Sequence, residues 1–179
     1  MTIQIDTREK SRAIKQIVSY FDETGIQHYT SKLYVGDYMS LDNPRVVIDR
    51  KQNLQEICSN VCQQHERFIN ELKRARENGI KIIILCEHGS NIKTLADVQG
   101  WVNPRLRTSP KAVSGKQLFK ILFTIGQRYD VDFVFCDKRM TGYMIAKILG
   151  GASNEQGMFN GASDSGSGAS ADSKRYIVL

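Results

Sequence analysis

The sequence predicts an α/β fold in which a mixed central sheet carries helices on both faces. Three observations lead there. Short strand-like runs follow one another closely in the first half, apolar strands alternate with helical patterns in the second, and residues 81–86, KIIILC, form a continuous apolar run suited to burial on both faces of a sheet.

Taken in order, residues 2–6 alternate as a short strand, and residues 11–24 have helical spacing through Ile14, Ile17, Val18 and Phe21. Residues 27–33, 35–41 and 45–50 read as consecutive strands with short connections, pairing as hairpins. Residues 53–77 predict one long helix, because Leu54, Ile57, Val61, Phe68, Leu72 and Ala75 fall on a single stripe. Asn78-Gly79 ends it. After the KIIILC strand, a loop-rich section around WVNPRLRTSPKAVSG leads to a helix over 116–129, a strand over 133–136 and a closing helix over 142–149.

A chain of 179 residues, 41% hydrophobic and 25% charged, suits one well-packed domain. The formal net charge of +6 fits a polyanionic partner such as nucleic acid, although basic soluble proteins without one are common. No segment approaches the ~18 apolar residues of a membrane span. The start, MTIQIDTREK, lacks signal-peptide architecture. Cys58, Cys62, Cys86 and Cys136 sit in apolar surroundings rather than at the spacings of a disulfide framework, so the expected compartment is intracellular and reducing. The expected body is residues 1–150. In residues 151–173, 15 of 23 are Gly, Ser or Ala, so 151–179 reads as a disordered tail ending in KRYIVL, a partner peptide, an added strand or a boundary remnant.

The stretch VGDYMSLDNPRVVIDRK (35–51) places Asp37, Asp49 and Lys51 inside strand-like sequence, where charge normally costs stability. Side chains alternate along a strand, so Asp49 and Lys51 share a face. A turn centred on Asn43 sets Asp37 opposite Asp49, where two carboxylates repel unless a cation compensates. Lys51 supplies one charge; a divalent ion such as Mg²⁺ compensates better. The simpler alternative is a solvated strand face with Asp37 as a turn residue. Asp6 and Glu9 close the first strand, either as a helix-capping pattern or as two further carboxylates at the same sheet end.

Asp6-x-x-Glu9, Val35-Gly36-Asp37-Tyr38 and Asp49-Arg50-Lys51 before a long helix together resemble the xeroderma pigmentosum group F (XPF) type of structure-specific DNA endonuclease, whose pattern is D-x-x-E, G-D-Y and E-R-K-x-x-x-D. The resemblance spans residues 2–149 and implies a restriction-endonuclease-like core. It also implies an endonuclease dependent on Mg²⁺ or Mn²⁺, hydrolysing branched, flapped or forked DNA in repair or recombination. Asp37 and Asp49 would be direct metal ligands, with Asp6 and Glu9 as second-metal or water-mediated ligands. Lys51 would orient water or stabilise charge in the transition state. Asp49 stands where the family has Glu, and Gln55, with Glu56 beside it, stands at the later Asp. The family also includes members that have lost their acids, which leaves a silent DNA-binding or scaffold module as the alternative.

Arg8, Arg50, Arg67, Arg105, Arg107 and Lys111 are the expected DNA contacts, with Arg50 pointing to the opposite sheet face and therefore either structural or DNA-facing. Arg67 and Glu71, an i, i+4 pair, are either a surface ion pair or part of the site. Glu87 ends the KIIILC strand, where active-site groups of α/β sheets gather. Trp101 beside the basic loop is either a stacking wedge or a core anchor. Cys58, Cys62 and His65 share a helical flank, but buried thiols explain them better than zinc. The helix-hairpin-helix modules usual in the family have no counterpart after residue 150. The expectation is therefore a stand-alone, phage-like nuclease domain, acting in the host cytoplasm or nucleoid as a homodimer or with a partner protein.

Overall fold

The computed structural model describes residues 1–89 and 91–155. Thr2–Ile5 (β1), Gln27–Thr30 (β2), Tyr38–Ser40 (β3), Asn43–Lys51 (β4), Lys81–Cys86 (β5) and Asp132–Phe135 (β6) form one sheet in the order β2-β1-β3-β4-β5-β6. β1 runs parallel to β2 and antiparallel to β3; β3 and β4 are antiparallel; β4, β5 and β6 are parallel. The helices are Lys15–Glu23 (α1), Leu54–Cys62 (α2), His65–Glu77 (α3), Gly115–Tyr129 (α4) and Thr141–Glu155 (α5). The mixed sheet with helices on both faces is the expected class.

Alternation along the central strands sorts side chains into two cores. Val47, Ile82, Ile84 and Cys86 pack with Leu54, Ile57, Leu72 and Leu122 of α2, α3 and α4. Ile48, Ile83, Leu85 and Val134 pack on the other face with Ile17, Phe21, Met144 and Ile145 of α1 and α5. β5 is buried on both faces, as its unbroken apolar run requires.

Several expected elements differ. The first helix begins at Lys15, and Ile14 caps it without a side-chain bond, so Asp6 and Glu9 are not its capping pair. β2 does not form a hairpin with β3, because β1 lies between them and the β1–α1–β2 unit returns parallel. Residues 35–37 are not strand: Gly36 has φ of +66°, and a Cβ there would collide with Val47 Cγ1. The expected long helix is two, broken at Gln63-Gln64. Residues 62–67 are all exposed, so none holds that turn against the core, and the imidazole of His65 contacts the Val61 carbonyl through Nδ1 at 3.0 Å. α5 runs through Glu155, past the expected body end; the rest of the tail, with KRYIVL, lies outside the described residues. No helix among the described residues is long and apolar enough to cross a membrane.

Candidate active site

Asp37 and Asp49 meet as the period-two argument requires. The hairpin register pairs Tyr38 with Ile48, and Asp37 N–H donates to the Ile48 carbonyl at 2.8 Å. Asp37 therefore stands beside Asp49 on the α2–α3 face of the sheet. Asp37 Oδ2 accepts the Arg50 backbone N–H at 2.8 Å, and Lys51 Nζ donates to Asp49 Oδ1 at 2.7 Å. Among the described residues, Asp37 Oδ1 and Asp49 Oδ2 accept no hydrogen bond. Burial, and then the charge of Asp49, push the Asp37 carboxyl well above the usual carboxylate range. Burial opposes the charge of Lys51, but neighbouring Asp49 outweighs it and holds the ammonium's pKa above the ordinary lysine value.

These groups line a cleft of about 300 Å³. α2 supplies one wall and α3 the other, and the break at Gln63-Gln64 lets the two segments bend around it. Asn53 starts α2 by accepting the Glu56 N–H at 3.0 Å, and Glu56 Oε2 accepts Gln52 N–H at 2.8 Å. Glu56 lines the cleft, whereas Gln55 is exposed outside it. Ser59, Asn60 and Gln64 line the cleft too, and sequence reasoning missed them. The polar spacing Glu56, Asn60, Gln64, then Arg67 and Glu71, could have revealed them as a helical flank beside the apolar stripe.

Arg67 and Glu71 face the cleft, so the site reading of that pair fits the geometry better than an isolated surface pair. Glu71 Oε1 accepts Gly36 N–H at 3.1 Å, which fixes the turn before Asp37 to α3. Arg8 stands at the rim with Nη2 on the Gly36 carbonyl at 2.9 Å.

Asp6 and Arg50 are elsewhere than expected. The Asp6 side chain is fully buried, with Oδ1 accepting Arg8 N–H at 2.8 Å and Arg8 Nε at 2.6 Å, and Oδ2 accepting Leu33 N–H at 2.6 Å. Burial alone would raise its pKa, but the bonds from Arg8 and Leu33 outweigh it and hold the carboxyl below the usual range. Both oxygens are committed, so Asp6 is not free to ligate a metal; it ties the end of β1 to the loop before Asp37. Arg50 borders the cleft, but its side chain is 3% exposed and committed to two carboxylates, so its guanidinium is not the open surface contact expected. It lies on the opposite sheet face, as alternation predicts, with Nη2 on Glu9 Oε2 at 2.8 Å and Nη1 on Glu87 Oε1 at 3.0 Å. Glu9 also accepts Tyr38 O–H at 3.0 Å, so it faces the cleft but is braced from behind. Glu87 binds Arg50 and Thr141 Oγ1 and does not line the cleft.

Among the described residues, no group of three His, Cys, Asp or Glu side chains is arranged to hold a metal ion. Cys58 and Cys62 contact each other at 4.0 Å, and burial with the neighbouring thiol pushes Cys58 up to about 11.

The family model of the ERCC4 domain matches residues 5–148. The chain belongs to the ERCC4 domain family. The XPF structure from Aeropyrum pernix superposes with a TM-score of 0.62 at 17% identity, covering 88% of this chain and 67% of that one. The same protein in complex with DNA gives 0.61 at 17% identity, covering 86% and 66%. The chain thus spans about two thirds of the length of these structures, which share its XPF-type, restriction-endonuclease-like fold. No curated protein sequence matches it.

In this ERCC4 domain the basic loop stands apart from the cleft. Pro104–Arg107 forms a short 3₁₀ turn, started by Asn103 accepting the Arg105 N–H at 3.0 Å. Asn103 Nδ2 also donates to the Val113 carbonyl at 2.8 Å and contacts Cys58 Sγ at 3.9 Å, pinning the loop to the outer flank of α2. Trp101 is buried in the α2–α3–α4 core, so it is the anchor rather than the wedge. Arg105, Arg107 and Lys111 are exposed and none lines the cleft.

Proposed function

We propose that this ERCC4 domain is a divalent-metal-dependent endonuclease that hydrolyses phosphodiester bonds in branched, flapped or forked DNA. The observation that carries the reading is the Asp37–Asp49 pair, with Lys51 beside it, in an open cleft walled by α2 and α3. Membership of the ERCC4 domain family supports it, and so does the likeness to an XPF structure that holds DNA.

The donor set fits a hard cation. Mg²⁺ keeps several waters and takes one or two carboxylates plus substrate phosphates, so a pair of acids suffices where a three-ligand cage is absent. Asp37 and Asp49 would hold it through their uncommitted oxygens. Asn60 Oδ1, buried and without a hydrogen-bond partner, is a ready acceptor for a water in the cleft. When bound, the ion would supply a water deprotonated near neutral pH and charge compensation for phosphate oxygens. Mn²⁺ would serve the same ligands.

The chain's own residues do the rest. Lys51 carries three donors and spends one on Asp49, which leaves two for a phosphate oxygen or the attacking water. Its pKa is held above the ordinary lysine value, so it remains an ammonium where negative charge grows on the phosphate. Arg50 and Tyr38 brace Glu9, and the Asp6–Arg8 pair fixes the loop that carries Asp37. Arg8 and Arg67 border the cleft as phosphate contacts.

The test is cleavage of labelled flap, fork and four-way-junction DNA, with and without Mg²⁺ or Mn²⁺. Metal-dependent cutting that prefers branched DNA is expected. Binding without cutting under every condition would overturn the endonuclease and leave a scaffold module.

A further inference from the structure

Resting on the endonuclease reading above, we propose that Tyr34 is a stacking platform for an unpaired nucleobase at the branch point beside the cleaved bond. Tyr34 is 62% exposed, although its neighbours Leu33 and Val35 are both buried. Those two anchors fix the backbone and turn the ring outward. Three further contacts stiffen the loop: Leu33 N–H on Asp6, Gly36 N–H on Glu71, and the Gly36 carbonyl on Arg8. An aromatic ring on so rigid a mount loses little freedom when something stacks on it.

Its position points to DNA. Tyr34 lies three residues before Asp37, hence at most about 11 Å away along the chain. The Arg74 guanidinium sits 5.8 Å from the ring centroid. Arg67, Glu71 and Arg74 fall at i, i+4 and i+7 on one stripe of α3. The first two line the cleft, and Arg74 continues that wall about 4.5 Å further along the helix. A strand leaving the cleft along α3 therefore meets Tyr34 next. Exposed aromatic rings flanked by cations are how proteins grip single-stranded nucleic acid: the cations take phosphates and the ring takes a base face. A paired base has both faces stacked already, so the platform favours an unpaired one.

The test uses a flap DNA with 2-aminopurine at the unpaired position next to the junction, bound by the full chain carrying Asp37→Asn. Quenching on binding is expected, lost with Tyr34→Ala and restored with Tyr34→Trp. Affinity for the flap should fall roughly 5- to 150-fold with Tyr34→Ala, the span of one base-stacking contact, and affinity for plain duplex should stay within about twofold. The salt dependence of binding should not change, because stacking releases no counterions. Equal quenching in the Ala variant, an equal loss on duplex and flap, or no DNA binding by the parent protein would overturn the inference. Wild-type cleavage with metal, measured separately, decides the endonuclease reading. If the wild type cuts and Tyr34→Ala keeps its choice of flap over duplex, this inference alone falls.

Discussion

Lys51 Nζ lies 2.7 Å from Asp49 Oδ1, two residues away on the same face of β4, and Asp37 stands beside that pair from the turn that leads into β3. One ammonium thus serves two carboxylates and is already engaged by one of them. Asp37 is left with a single bond, from the Arg50 backbone. Burial first, and then the charge of Asp49, raise its pKa. A site short of one positive charge stores repulsion in the free protein and releases it when a cation arrives.

Replacing Asp37 with Asn should separate these two consequences. A carboxyl whose folded pKa is raised contributes stability below its unfolded value, near 3.8, and loses it as pH rises through the folded pKa. At pH 8 the Asp37 carboxyl therefore costs stability, and the Asn variant should withstand more urea than the wild type without metal. The advantage should shrink toward pH 4, where the wild-type carboxyl is protonated. Metal-dependent cleavage should disappear in the same variant. Cleavage within threefold of wild type, or equal urea midpoints at pH 8, would contradict the assignment.

Lys51→Ala should behave differently. The proposed target of the ammonium is charge that appears in the transition state, so kcat should drop by about two orders of magnitude or more while DNA affinity changes little. The free protein should also lose stability at neutral pH, since Asp37 and Asp49 then face each other without a cation. Single-turnover rates at saturating protein, beside binding isotherms in Ca²⁺, distinguish this from a binding defect.

Arg50 offers a structural counterpart. It is buried between Glu9 and Glu87, and removing it leaves two carboxylates with little solvent. Breaking such a network typically costs about 3–5 kcal/mol, so Arg50→Ala should lower the denaturation midpoint sharply, and Arg50→Lys should recover only part, lacking the planar fork. Whatever remains folded should bind DNA with an unchanged salt dependence. A stable Arg50→Ala protein with weakened DNA binding would return Arg50 to the surface contacts.

The pairing of Asp37 with Asp49 was legible because alternation is local and forgiving. The turn itself was not. Ser40 pairs with Asn43 in a tighter turn than expected, and Pro44, Arg45 and Val46 then bulge before Met39 meets Val47. The two deviations compensate, so the arithmetic reached the right neighbour through the wrong turn. Asp6 was misread because its decisive partner, the Leu33 N–H, is 27 residues away and belongs to a loop rather than a repeat. The break at Gln63-Gln64 carries neither Gly nor Pro, and the apolar stripe resumes in register across it, from Val61 to Phe68 at i+7. Arg50 was readable as leaving the face shared by Asp49 and Lys51, but its burial depends on Glu9 and Glu87, which arrive from the ends of two other strands.

The last prediction concerns how DNA is held over an acidic cleft. Every neutralised phosphate releases condensed counterions, so affinity should fall with salt at a log-log slope near −0.9 per contact on duplex DNA. Arg105, Arg107 and Lys111 are exposed on the loop that Asn103 ties to Cys58 of α2, and none of them lines the cleft. Arg67 and Arg74 lie on α3, along the opposite wall. Replacing the three loop cations with Ala should flatten the slope by roughly two to three units and weaken binding to all sequences alike. Metal preference should not change, because no acid is touched. The core does not depend on these side chains, since Trp101 and Asn103 hold the loop, so the variant should fold normally. A slope unchanged by the loop triple but flattened by Arg67→Ala and Arg74→Ala would move the duplex to the α3 side alone, with the basic loop facing away from DNA.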